Sequence, residues 1–167
     1  SRDEQSDKSG RLLVERLTRA GHQLAEKLIV PDDIYQIRAV VSRWIADPQV
    51  NVVITTGGTG VTGRDGTPEA VEPLLDKVLE GFGEMFRSVS YADIGTSTLQ
   101  SRALAGVANA TYVFCVPGSS GACATVIVPR QRRVLSGADR ANFAVSRPGE
   151  LVSGQLSGKQ LARPTVL

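Results

Sequence analysis

The chain has 167 residues, 41% hydrophobic and 22% charged, with a net charge of +2, which fits one globular domain and excludes disordered, fibrous and membrane-helix classes. That charge is uneven: residues 1–124 hold 12 basic and 15 acidic side chains, and residues 125–167 hold 7 and 2. The polar opening SRDEQSDKSG has no signal-peptide core, and Cys115 and Cys123 offer neither a disulfide framework nor metal-ligand spacing, so the chain reads as cytoplasmic.

In chain order, Leu12, Leu13, Leu17 and Ala20 share one helical face over residues 8–20, with Gly21 as the stop signal. QLAEKLIV (23–30) predicts a strand. Asp32 or Asp33 then caps a helix in which Ile34, Ile37, Val41 and Ile45 repeat at helical spacing. NVVITT (51–56) is a continuous apolar run, as in strands buried within parallel sheets. It enters a loop containing Gly57, Gly58, Gly60, Gly63 and Gly66. Thr67-Pro68-Glu69 opens a helix predicted to run to Glu80, with Pro68 at its first position and Glu69 at the positive end of the dipole. STLQSRALAGVA (97–108) predicts a further helix and TYVFCV (111–116) a further buried strand, which PGSSGA turns.

Alternating strands and helices predict an α/β fold, a doubly wound, mostly parallel sheet with helices on both faces. Ligands in such sheets sit beyond the carboxyl ends of the strands. TTGGTG and PGSSG both occupy that position, and both expose backbone N–H groups to an anion. Asp32 and Asp65 also lie just past strand ends. Two carboxylates beside two phosphate-sized loops suggest a divalent metal bridging to phosphate oxygens. Each aspartate also has a plain structural reading, Asp32 as a helix cap and Asp65 as a loop cap. The loop is neither a Walker loop nor a dinucleotide fingerprint.

TTGGTGVTGRDGTPEAV, EGFGEMFRSVSYADIGTSTLQSRALAGV and CVPGSSGAC, in this order and spacing, resemble the molybdenum cofactor biosynthesis protein B (MoaB/Mog) family over residues 1–123. The resemblance implies adenylylation of molybdopterin by Mg-ATP in a homo-oligomer, a trimer or a hexamer. It places functional, metal-holding aspartates at Asp32 and Asp65. It matches Thr56, Gly57, Gly58, Thr59 and Gly60 to a loop for the pterin phosphate. Ser101, Arg102, Pro117, Gly118 and Ser119 match other substrate-contacting segments. A family member that binds molybdopterin without catalysis fits the same residues.

Two departures from the family pattern stand out. The family's first strand is missing before SRDEQSDKSG, which predicts unpaired edges on both its neighbours in the middle of the sheet. After Cys123 the helical pattern lapses, so residues 1–124 read as the molybdopterin-binding domain and residues 125–167 as an atypical basic, poorly structured tail. A shifted reading frame near Thr125 and a C-terminal extension with VIV docked as a strand both remain open. The tail has a single aromatic residue, Phe143, which argues against nucleic-acid binding.

Overall fold

The structure, a computed structural model, describes residues 7–119 and 121–123, and the backbone of residues 142–148 and 150–153. Helix α1 (Lys8–Arg19) begins at Asp7, whose carboxylate accepts from Gly10 N at 2.8 Å and pairs with Lys27 Nζ at 2.9 Å. Its C-terminal end is a Schellman turn: Gly21 N donates to Thr18 O and His22 N to Leu17 O, with Gly21 at φ +82°. Strand β1 (Gln23–Val30) keeps the predicted bounds, and α2 (Ile34–Ala46) is capped by Asp33, whose carboxylate accepts from Gln36 N at 2.8 Å. Strand β2 (Val52–Thr56) follows, buried throughout.

Beyond β2 the chain departs from two expectations. The helix expected over 67–80 is only α3 (Thr67–Val71), followed by a 3-10 turn over Glu72–Leu74 and the short strand β3 (Lys77–Val78). Pro73 has no N–H to continue an α-helical ladder. The helix expected over 97–108 is a 3-10 segment (Gly95–Gln100) and then strand β4 (Leu104–Ala108), antiparallel to β5 (Thr111–Val116). Gly106 is the reason β4 packs where it does: a Cβ there would meet Leu75 Cδ1 at 2.5 Å and Lys77 O at 2.6 Å. Between them lies α4 (Glu80–Ile94), which carried no sequence assignment.

The sheet has seven strands in the order β1-β7-β6-β2-β5-β4-β3, with a further β1–β6 pairing. Strands β6 (Asn142–Pro148) and β7 (Glu150–Ser153) come from the segment read as a tail. The expectation of unpaired edges is therefore corrected. Strand β6 runs parallel to both β1 and β2, with Ile29 opposite Arg147 and Thr55 opposite Ser146. Buried backbone donors and acceptors require such partners. Residues 124–141, 149 and 154–167, where VIV was considered as a docked strand, lie outside the described residues.

Alternation along β2 and β5 divides the core into two layers. Val52, Ile54, Phe114 and Val116 pack with Leu13 and Leu17 of α1 and Phe86 of α4. Val53, Val113 and Cys115 pack with Ile37, Val41 and Trp44 of α2 and Val71 of α3. Both faces of the sheet are covered, which is why β2 and β5 read as unbroken apolar runs. Burial pushes the Cys115 thiol up to about 12, so it is a packing residue rather than a reactive one.

The β4–β5 hairpin turns through Asn109 and Ala110, both at positive φ (47° and 62°). A left-handed conformation suits Asn or Gly and strains Ala. Ala110→Gly is expected to raise stability by about 0.5–1 kcal/mol, the strain relief exceeding the added unfolded-state entropy. A urea midpoint that stays level or falls would show that the turn holds no such strain.

Candidate functional site

Four connections meet at the carboxyl end of the parallel strands. The chain leaves β1 through Pro31–Asp33, β2 through residues 57–66, and β5 through Pro117–Ser119. Strand β4, antiparallel to β5, brings Ser101 and Arg102 to the same edge.

The glycine loop starts with two residues at positive φ, Gly57 at +100° and Gly58 at +62°. Gly57 N donates to Val116 O at 2.8 Å, and Gly58 O accepts from Thr67 N at 3.1 Å. Thr56 is fully buried, its hydroxyl donating to Pro117 O at 3.2 Å and lying 3.3 Å from Cys123 Sγ. The two loops are thus joined at their roots. Ser9 Oγ donates to Gly118 O at 3.0 Å, and Ser119 Oγ accepts from Ala122 N at 3.1 Å.

Arg102 organises the far side of the loop. Its Nε donates to Gly60 O at 2.8 Å, one terminal nitrogen donates to Asp65 O at 2.6 Å, and the other pairs with the Glu69 carboxylate. Its backbone N–H donates to Thr59 O at 3.3 Å. One planar guanidinium therefore fixes Gly60, Asp65 and the start of α3 together, a geometry that lysine lacks.

The Asp65 carboxylate turns back into the loop. Its Oδ2 accepts from Thr62 N at 2.9 Å and Thr62 Oγ at 2.6 Å. The Thr62 hydroxyl bond is the main influence holding this carboxyl below its ordinary value, against an opposing effect of burial; Thr62 and Gly60 N–H groups and the Arg102 charge help. At Glu69, burial raises the carboxyl and is outweighed by the bond from Arg102, so its value also falls. Asp32 lies differently. Because Asp33 takes the cap of α2, the Asp32 side chain is left exposed at the end of β1.

Beside Arg102 opens a concave pocket of about 500 Å³, lined by Pro68, Glu69, Glu72, Arg87, Leu99, Ser101, Arg102, Ala103 and Leu104. Arg87 Nη1 donates to Ser101 O at 3.3 Å. Ser101 Oγ and Thr67 Oγ are buried without a hydrogen-bond partner among the described residues. Unpaired buried hydroxyls are rare in folded proteins.

Of the residues named from the sequence, Thr56 to Gly60, Asp65, Arg102, Pro117 and Gly118 are joined by direct hydrogen bonds to one another or to their neighbours. Asp32 stands apart from that network. Among the described residues no three His, Cys, Asp or Glu side chains cluster as metal ligands. Sequence reasoning missed Glu69, Thr62 and Arg87. Glu69 was read only for its effect on the helix dipole, and its partner Arg102 lies 33 residues away.

The sequence profile described as "Probable molybdopterin binding domain" matches residues 2–129. The Molybdenum cofactor biosynthesis protein B of Escherichia coli (strain K12) is 55% identical over 124 residues, 74% of this chain and 73% of that protein. The chain belongs to the molybdenum cofactor biosynthesis protein B family. The Bacillus cereus member is 50% identical over 123 residues, 73% of each chain. A crystal structure of a Molybdenum cofactor biosynthesis protein B superposes with a TM-score of 0.77 at 45% identity, covering 82% of this chain and 86% of that one. The tungsten cofactor synthesizing protein MoaB from Pyrococcus furiosus superposes at 0.67 with 39% identity, covering 78% and 82%. Membership in this family assigns the chain to molybdenum cofactor biosynthesis, and the α/β fold read from the sequence is that of its structural neighbours.

Proposed function

We propose that this rim binds molybdopterin and adenylylates it with Mg-ATP. The observation that carries the reading is the Arg102 clamp, which holds a positive-φ glycine loop open at the carboxyl end of a buried parallel strand. Such a loop presents backbone N–H groups to phosphate oxygens. A terminal phosphate oxygen of molybdopterin attacks the α-phosphorus of ATP. The new P–O bond forms as the bond to pyrophosphate breaks, and pyrophosphate leaves. The protein's share is alignment and charge neutralisation rather than covalent catalysis.

The residues fit a Mg²⁺ ion that takes only one or two carboxylates, with water and phosphate oxygens completing its shell. Asp32, exposed and relieved of capping by Asp33, would hold it, with Asp65 presenting its carboxylate from the hydrogen-bonded loop. The ion would supply charge neutralisation on the phosphates. Exposed Met85 and Val89, one turn apart on α4, give a homo-oligomer, a trimer or hexamer, an apolar patch to bury. A binding member without turnover is the second reading. It is favoured by the inward hydrogen bonding of Asp65.

Calorimetry with molybdopterin, followed by pyrophosphate release on adding Mg-ATP, tests the proposal. Asp32→Asn is expected to keep pterin binding and to lose turnover by about 100-fold, a typical loss for an electrostatic group at a reacting phosphate. Asp33→Asn is expected to leave turnover unchanged, because Asn caps helices as well as Asp does. Pterin binding with no pyrophosphate from the unaltered chain would favour the second reading, and no binding at all would defeat both.

A further inference from the structure

Arg38 reaches from α2 to a point where α3 has run out of its own donors. In an unbroken helix the N–H of residue 73 would meet Glu69 O, but Pro73 has none. Arg38 supplies the missing bond. One of its terminal nitrogens donates to Glu69 O at 2.8 Å, and its Nε donates to Ala70 O at 3.2 Å. Tyr35, one turn earlier on α2 and exposed, has its ring centroid 5.7 Å from the guanidinium. The two helices also touch at the start of α3. A Cβ on Gly66 would lie 3.0 Å from Ile34 Cγ1, although its φ of −119° is open to other residues. Glycine is needed there for the space that Ile34 fills, not for its backbone freedom.

We infer that Arg38 is a positioning residue which, with the Ile34–Gly66 contact, sets the Asp32 and Asp65 carboxylates at a spacing that one divalent cation can use. This rests on the reading of those two aspartates as the metal-holding pair. Asp32 lies two residues before Ile34, at the head of α2, and Asp65 one residue before Gly66, at the head of α3. The bonds of Thr62 and Arg102 order the loop within itself and against α3. The register of loop and α3 against α2 falls to the Arg38 fork and to Ile34. A guanidinium suits that task, because its donors are fixed in one plane and reach both carbonyls at once. Glu69 joins the two systems, its carbonyl held by Arg38 and its carboxylate by Arg102. Groups one step removed from metal ligands orient those ligands and govern metal affinity.

The test titrates Mn²⁺, standing in for Mg²⁺, into the full chain and follows the loss of its free-ion EPR signal. Arg38→Met is expected to weaken Mn²⁺ binding by about tenfold. Arg38→Lys, with one ammonium for two carbonyls, is expected to recover part of that loss. Gly66→Ala is also expected to weaken binding, and adding Ile34→Ala to restore it, because the second change vacates the space that the first one fills. Arg43→Met removes an ion pair with Glu26 from the last turn of the same helix. It is expected to leave Mn²⁺ affinity unchanged whatever it does to the unfolding midpoint. Molybdopterin affinity, which follows the Arg102 clamp, is expected to change less than Mn²⁺ affinity in Arg38→Met.

Equal Mn²⁺ affinity in Arg38→Met and the unaltered chain would overturn the inference, as would an unaltered chain that takes up no Mn²⁺. An equal loss in Arg43→Met would overturn it too, making Arg38 a stabilising residue only. Mn²⁺ binding that depends on Arg38, in a chain that releases no pyrophosphate from Mg-ATP, would leave the positioning role standing and remove adenylylation. Pyrophosphate release with an unchanged Mg²⁺ requirement in Arg38→Met would do the reverse.

Discussion

Arg102→Met is expected to weaken molybdopterin binding by at least about 30-fold, because three charge-assisted hydrogen bonds of about 1–2 kcal/mol each vanish from the loop. Met keeps the length and apolar packing of the stem but carries no donors. The Gly60 and Asp65 carbonyls and the Glu69 carboxylate then lose their common partner. Because the loop lies outside both core clusters, the loss falls on its order more than on global stability. Arg102→Lys is expected to fare little better, since one ammonium cannot reach three diverging acceptors. Titration calorimetry reads the affinity. Near-native binding by Arg102→Met would show that the loop holds its shape without the clamp.

The same substitution has an acid signature. Asp65 and Glu69 both have lowered values in the folded chain. Carboxyls of that kind contribute stability that is fully present above their unfolded values and is lost as pH falls through the folded ones. In Arg102→Met, burial at Glu69 is no longer outweighed, so its carboxyl rises and protonates sooner. The loss of loop stability in acid is then expected to be smaller than in the unaltered chain, because a carboxyl no longer lowered in the folded state gives up nothing as pH falls. Asp65 keeps its bonds from Thr62 and shifts less.

Gly58→Val is the second large effect. Gly58 sits at φ +62°, in the left-handed region that costs an L-residue about 1–2 kcal/mol and a β-branched one more. Relief requires a backbone rotation that pulls Gly58 O from Thr67 N and turns the neighbouring N–H groups away from the site. Binding of molybdopterin and of pyrophosphate is expected to fall together, by about 100-fold for a strain near 3 kcal/mol. Gly58→Asn, which tolerates this conformation, is expected to recover part of that loss. Selective loss of one ligand alone would show that the two do not share the loop.

What the sequence made legible was local. Strand β1 falls on its predicted bounds, and β2 and β5 were recognisable from unbroken apolar runs that match their burial on both faces. The glycine loop and the residues that flank it stood out because two such loops and two aspartates follow strand ends, in an order and spacing that resemble the family. Non-local effects were hidden. Ala103, Ala105 and Ala108 favour a helix by propensity, but Gly106 packs on Leu75 and Lys77, and the Asn109–Ala110 turn folds the segment back as a strand. Helix α4 was obscured by Gly81 and Gly83 in its first turn. The latter lets α4 approach β4, where a Cβ would meet Ala103 O at 2.8 Å. The Arg102–Glu69 pair and the pocket beside it depend on that same strand, and so escaped notice together. Strand β6 is set by register with two distant neighbours, and no local pattern advertises it among the prolines and glycines of its surroundings.

The position of β6 also sets an order of events during synthesis. Strands β1 and β2 leave the ribosome before the segment that joins them, which is made only after residue 141. Until then the ends of β1 and β2, which carry Asp32 and the glycine loop, have no shared ladder to level them. Closing so long an interval is slow compared with forming the neighbouring β4–β5 hairpin. Between the synthesis of β2 and that of β6 the nascent chain therefore lacks this partner on two strand edges, an interval in which a chaperone or a second chain can reach them.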